Sequence, residues 1–121
     1  MTRLSGVTGF VVRQWKLAPH EGDQAPLHVH HAGDEAFFVI EGRLEVQDGD
    51  QRHLLHAGEL HTVHAGRHHT FATVDGEGAH VLVVMTPEID ALVRALHSDE
   101  PQNVDELWAL HHSAIVRPGA P

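Results

Sequence analysis

Four positions in this chain have the residue types and spacing of a metal site. His28 and His30 are two apart, so on a β-strand both imidazoles project from the same face. Glu35 follows after a short connection containing Gly33, and His69 comes about forty residues later, just past another glycine, Gly66. Three nitrogen donors and one carboxylate converging inside a sheet can hold a first-row divalent ion. Histidine accounts for 14 of the 121 residues, so a pair alone carries little and the information lies in the spacing. His68 adjoins His69 and would face the other way on a strand, so a one-residue slip in register exchanges the two.

The elements that must position these residues are short. Val7 to Leu17 reads as a strand. Leu27 to His31 and Glu35 to Glu41 read as two more, separated by Ala32-Gly33-Asp34. Leu44 to Gln47, Gln51 to His56, Glu59 to His64, His69 to Val74 and Ala79 to Met85 follow. Asp48-Gly49-Asp50 is a hairpin signal, and glycines punctuate the later gaps. Eight short strands at this spacing predict an all-β sandwich or barrel over residues 7–86. The pattern then changes to a helical tail over 87–121. Thr86 can cap a helix that begins at Pro87, and Ile89, Leu92, Val93 and Leu96 form its apolar stripe. Ser98 to Gln102 breaks that helix. Asn103 with Glu106 resembles a capping box for a second, whose stripe is Val104, Leu107 and Trp108; Trp108 is expected to anchor that helix rather than enter a site. Ala114 to Val116 could add an edge strand, and the ending from Arg117 reads as loose.

Strand parity extends the candidate site. Phe37 and Val39 share a face with Glu35, and Phe71 and Thr73 share one with His69, so these four are expected to face the same interior and to line an apolar pocket beside the metal. His31, His53, His56, His61 and His80 are expected at the surface or behind the ligands.

Bulk properties narrow the function classes. The length suits one domain, residues 1–121, with a real core. A formal charge of −9 without a basic cluster argues against nucleic-acid or anionic-membrane partners. The absence of cysteine removes disulfides, thiolate metal sites and cysteine nucleophiles, and it fits a cytoplasmic protein. No signal peptide or membrane span is expected.

The residues above resemble the two motifs of the cupin superfamily. The first, G-x5-H-x-H-x(3,4)-E-x6-G, runs from Gly22 to Gly42 with every fixed position filled. The second, G-x5-P-x-G-x2-H-x3-N, is matched at Gly58, Gly66 and His69; His64 stands at the usual proline and Thr73 at the usual asparagine. The helical tail is similar to that of small single-domain cupins of the quercetinase-like kind. The resemblance implies a double-stranded β-helix of the jelly-roll type with His28, His30, Glu35 and His69 as ligands. It selects His69 over His68 and brings His64 near the site entrance. It also implies one divalent transition metal per chain, with iron, manganese, nickel, cobalt, copper and zinc all compatible with a donor set that lacks sulfur.

The activity implied by the resemblance is dioxygenation of a small aromatic or enolisable metabolite, with Glu35 remaining a ligand or moving off to act as a base. Two alternatives stay open. One is Lewis-acid isomerisation or cyclisation, as in some polyketide-tailoring cupins. The other is a non-catalytic barrel that binds a metabolite or a metal. A homodimer is expected, because small barrels cover an exposed edge with a partner strand.

Overall fold

The computed structural model describes residues 2–5, 9–98 and 103–117. In chain order the elements are β1 (Thr2–Ser5), β2 (Val11–Leu17), β3 (His28–His30), β4 (Glu35–Glu41), β5 (Arg43–Asp48), β6 (Gln51–His56), β7 (Leu60–Val63), β8 (His69–Thr73), β9 (Ala79–Met85), α1 (Pro87–Leu96), α2 (Val104–Leu110) and β10 (Ser113–Ile115). Two five-stranded antiparallel sheets face each other, in the orders β1-β2-β9-β4-β7 and β10-β3-β8-β5-β6. This is a double-stranded β-helix with a C-terminal helical segment.

Alternation along the strands sets which side chains meet between the sheets. Phe37 and Val39 on β4 face Val81, Val83 and Met85 on β9, and Leu44 and Val46 on β5 come from the opposite sheet; all are buried. Side chains two residues apart lie on one face of a strand, so β4, β5 and β9 each contribute an apolar row to the core. Gly42 turns β4 into β5 with φ +84°, and a Cβ there would sit 2.6 Å from the Gly78 carbonyl oxygen. Only glycine meets both demands.

The strand boundaries follow the expected pattern with two differences. β2 begins at Val11 instead of Val7; Gly9 stands at φ +103°, and residues 6–8 lie outside the described ones. Thr2–Ser5 forms a further strand against β2, which the sequence pattern did not indicate. The break expected at Ser98 to Gln102 lies largely outside the described residues, as does all of the loose ending after Arg117.

The helical segment is held by specific contacts. The Thr86 side chain accepts a hydrogen bond from the Ile89 N–H, and Asn103 accepts one from the Glu106 N–H, as the capping signals predict. Arg13 on β2 donates to both carboxylate oxygens of Asp90 on α1, at 2.6 and 2.9 Å, and this buried bidentate pair pins α1 to the barrel. β10 then pairs with β3 in the register Ser113↔His30, Ala114↔Val29, Ile115↔His28. The chain after α2 therefore returns to the strand that carries two of the candidate ligands. No helix among the described residues is long and apolar enough to cross a membrane.

Candidate metal centre

β3 presents His28 and His30, the start of β4 presents Glu35, and the start of β8 presents His69. His28 and His69 are register partners across the β3–β8 pair. One ligating atom from each of the four residues lies within 4.8 Å of all the others, and all four residues are buried. The turn before β8 is tied to β3 by a hydrogen bond from the Gly66 N–H to the His30 carbonyl, at 2.8 Å, with Gly66 at φ +85°. That bond brings the His69 strand alongside the His28-His30 strand. His68 is exposed and outside the cluster.

Each imidazole is oriented from behind. His28 Nδ1 lies 2.7 Å from the Pro26 carbonyl oxygen, His69 Nδ1 lies 3.0 Å from the Arg67 carbonyl oxygen, and His30 Nδ1 lies 2.7 Å from Ser113 Oγ. A carbonyl oxygen can only accept, so Nδ1 of His28 and of His69 carries the proton. Ser113 Oγ donates to the His111 carbonyl at 3.1 Å, which makes it the acceptor for His30 as well. The Nε2 side of every ring is thereby turned to the cluster. This is the arrangement that metal-binding histidines adopt, with the second nitrogen held by an oxygen acceptor.

The donor set fits a divalent ion. Donor atoms about 2.1 Å from a common centre stand roughly 3–3.4 Å apart. His69 Nε2 and Glu35 Oε1 are 3.1 Å apart, and His30 Nε2 and Glu35 Oε1 are 3.8 Å apart. The rings of His28 and His69 have centroids 4.2 Å apart. Small rotations would close the set around an ion.

The charges support the same reading. Burial pushes the His28 and His30 imidazoles down to about 4, and each also feels neighbouring imidazoles, so both are neutral and ready to coordinate near pH 7. For His69, burial also acts downward, but the hydrogen bond and charge of Glu35 outweigh it and the net shift is upward. For Glu35, burial acts upward, yet the His69 hydrogen bond and the three imidazoles hold the carboxyl below its ordinary value. Without a metal, Glu35 and His69 are hydrogen-bonded at 3.1 Å; a bound metal would take the place of the proton between them.

Beside the cluster lies a cavity of about 670 Å³, whose lining includes His28, His30 and Glu35. Its walls come from Trp15 and Leu17 on β2, Phe71 on β8, Leu92 and Leu96 on α1, and Trp108 on α2. Trp108 does more than anchor its helix. Its ring stacks on His30, with centroids 6.3 Å apart and planes 15° apart, and lies 5.0 Å from His28. Helical periodicity identifies the buried stripe of α2 but not what that stripe covers.

The other expected pocket residues are distributed differently. Phe71 is on the cavity wall, against Trp15 at 5.8 Å and Phe37 at 5.4 Å. Phe37 and Val39 are fully buried in the core and do not line the cavity. Thr73 lies at a second depression, away from the ligand cluster, where its Oγ1 bonds the backbone of His20. His64 is exposed, with Nδ1 3.5 Å from the Asp34 carboxylate. Parity places Val39 and Thr73 on the inner face, but each is four residues from its ligand, about 13 Å along the strand. The space beside the ligands is walled instead by β2 and the helices. Ser113 and Trp15 carried no signal of their own in the sequence, although the tail's edge strand was recognisable.

Comparison with known proteins agrees with this geometry. The Cupin_2 family, a cupin domain, matches residues 14–85. The chain belongs to the cupin family. Among solved structures it is similar to a cupin-superfamily sugar phosphate isomerase from Silicibacter pomeroyi, with 30% identity and a TM-score of 0.58 over 67% of this chain and 52% of that one. The chain thus spans about half the length of that cupin. It is also similar to an uncharacterized double-stranded β-helix protein from Klebsiella pneumoniae (25% identity, TM-score 0.58, 71% and 74% covered). A cupin-2 domain protein from Shewanella frigidimarina (24%, 0.59, 69% and 76%) shares the fold. No curated protein matches the chain.

Proposed function

We propose that this cupin is a metal-dependent enzyme of the dioxygenase kind, acting on a small, largely apolar substrate that is aromatic or enolisable. The observation that carries the reading is the single cavity wall shared by the ligand cluster and by Trp15, Phe71 and Trp108. Such a wall favours a flat, weakly polar molecule and excludes water around the reacting atoms.

The residues divide the work. His28, His30, His69 and Glu35 would hold one divalent transition metal. When bound, the metal would polarise a substrate oxygen and, if redox-active, couple the substrate to O2. Trp108 and Phe71 position the ring of the substrate by stacking and packing. Glu35 is the carboxylate at the cavity floor, and it is the group placed to take a proton from an acidic substrate hydroxyl or enolisable carbon. In the metal-free chain Glu35 is held by its 3.1 Å hydrogen bond with His69, and with the metal bound the ion itself would fix the carboxylate.

A second reading is favoured by the similarity to a sugar phosphate isomerase. Here Glu35 would move a proton between neighbouring carbons with no net redox change. The apolar walls weigh against a sugar phosphate in this cavity, since such a ligand needs several hydrogen-bond partners along its length. Oxygen uptake separates the two. Metal-replete protein given catechol- and enol-type substrates should consume O2 in step with product. Equal turnover in the absence of O2 would replace the oxygenase with the isomerase.

A further inference from the structure

The distribution of charge says more about the substrate. The chain has 17 acidic residues, yet among the described residues Glu35, a candidate ligand, is the single carboxylate lining the cavity. The cations are distributed in the opposite way. Arg13, Arg43, Arg52, Arg67, Arg94 and Arg117 each have a carboxylate partner at 2.6–3.5 Å. Lys16 is the only lysine in the sequence. It is exposed, lines the cavity next to Trp15 and Leu17, and makes no ion pair among the described residues. A protein of net charge −9 thus keeps its one lysine, without a carboxylate partner among the described residues, on the wall of the apolar cavity beside the ligand cluster.

We propose that the cavity takes a carboxylate-bearing substrate: an apolar body against Trp15, Phe71 and Trp108, an oxygen turned to the metal centre, and a carboxylate beside Lys16. This rests on the reading of the cavity as a substrate site and adds the chemical class. The charge count selects the class. One ammonium balances one carboxylate, whereas a phosphate dianion carries more charge than a single ammonium and needs further donors, and no arginine among the described residues lines this cavity. The last turn of α1 reaches the same wall and its carbonyl end opposes an anion. His97 partly offsets this, with its Nδ1 hydrogen-bonded to the Val93 carbonyl oxygen at 2.8 Å. Lys16 carries the attraction.

The test is calorimetric titration of zinc-loaded protein with hydroxynaphthoate, with the matching neutral hydroxynaphthamide, and with a hydroxynaphthyl phosphate. The wild type should bind the carboxylate about threefold to fivefold tighter than the amide at low salt, the range of an exposed ion pair, and high salt should erase the difference. Lys16→Gln should bring the carboxylate to the level of the amide and leave the amide unchanged. If Lys16→Gln leaves carboxylate binding unchanged, its charge is not read by Lys16 and the inference falls while the cavity stands. If the phosphate depends on Lys16 more strongly than the carboxylate does, the class is wrong. If none of the three probes binds, the cavity is not a substrate site and both readings fall.

Discussion

Replacing Ser113 with alanine removes one hydroxyl behind one ligand, and its effect can be worked from the structure. Ser113 and His30 are 3% and 4% exposed, and Nδ1 lies 2.7 Å from Oγ. In Ser113→Ala the buried Nδ1–H loses its acceptor, at a cost of about 1–3 kcal/mol. The bond is stronger when Nε2 ligates a cation, because the ring then carries more positive charge, so much of that loss falls on metal affinity. Loss of such an outer partner typically costs about 10–100-fold in affinity. Zinc competition against a chromophoric chelator measures this, and the thermal midpoint of metal-free protein shows that the variant is folded. Ser113→Thr keeps the oxygen and should recover most of the affinity. A folded Ser113→Ala protein that binds zinc within about twofold of wild type would show that the hydroxyl does not orient His30.

Other consequences follow from the same geometry. His28→Ala should abolish stoichiometric metal binding while the far-ultraviolet spectrum remains that of a folded barrel; full metal content would exclude His28 as a ligand. The metal-free protein should lose stability in acid. His28 and His30 are held at about 4 in the fold against 6.5 for the unfolded chain, so between those values the unfolded chain binds more protons and stability falls with pH. From pH 7 to pH 5 each ring contributes about 2 kcal/mol of loss, partly offset by His69, whose raised pKa acts in the opposite sense. Urea midpoints at the two pH values check this, and a midpoint that does not fall on acidification would contradict it. Glu35→Gln should lose more turnover than metal, and parallel losses would confine Glu35 to coordination. Separately from the site, the homodimer expected of a small barrel with an exposed edge should sediment at twice 13.3 kDa, and a clean monomer would reject it.

The architecture was legible in the sequence because its signals are local. Glycine-bounded alternating runs mark strands, and capping residues mark both helices at Thr86 and Asn103. The ligand cluster was legible because two short motifs fix the spacing of His28, His30, Glu35 and His69 along strands that pair. The cavity wall was harder to read. Parity separates the inner face from the outer but says nothing of depth, so it grouped Phe37 and Val39 in the core with Phe71 on the wall. Trp15, Trp108 and Ser113 reach the site through long-range packing of β2, α2 and β10. Their roles depend on the β3–β10 register and on where the helices cross the barrel, neither of which is written in any local pattern.

The most direct measurement of the metal centre is X-ray absorption on protein loaded with one equivalent of zinc. The expected first shell has three imidazole nitrogens and one carboxylate oxygen at about 2.0–2.2 Å, and a further oxygen is compatible with an open position. A shell with fewer than three imidazoles, or one unchanged in His69→Ala, would contradict a centre built from His28, His30, Glu35 and His69.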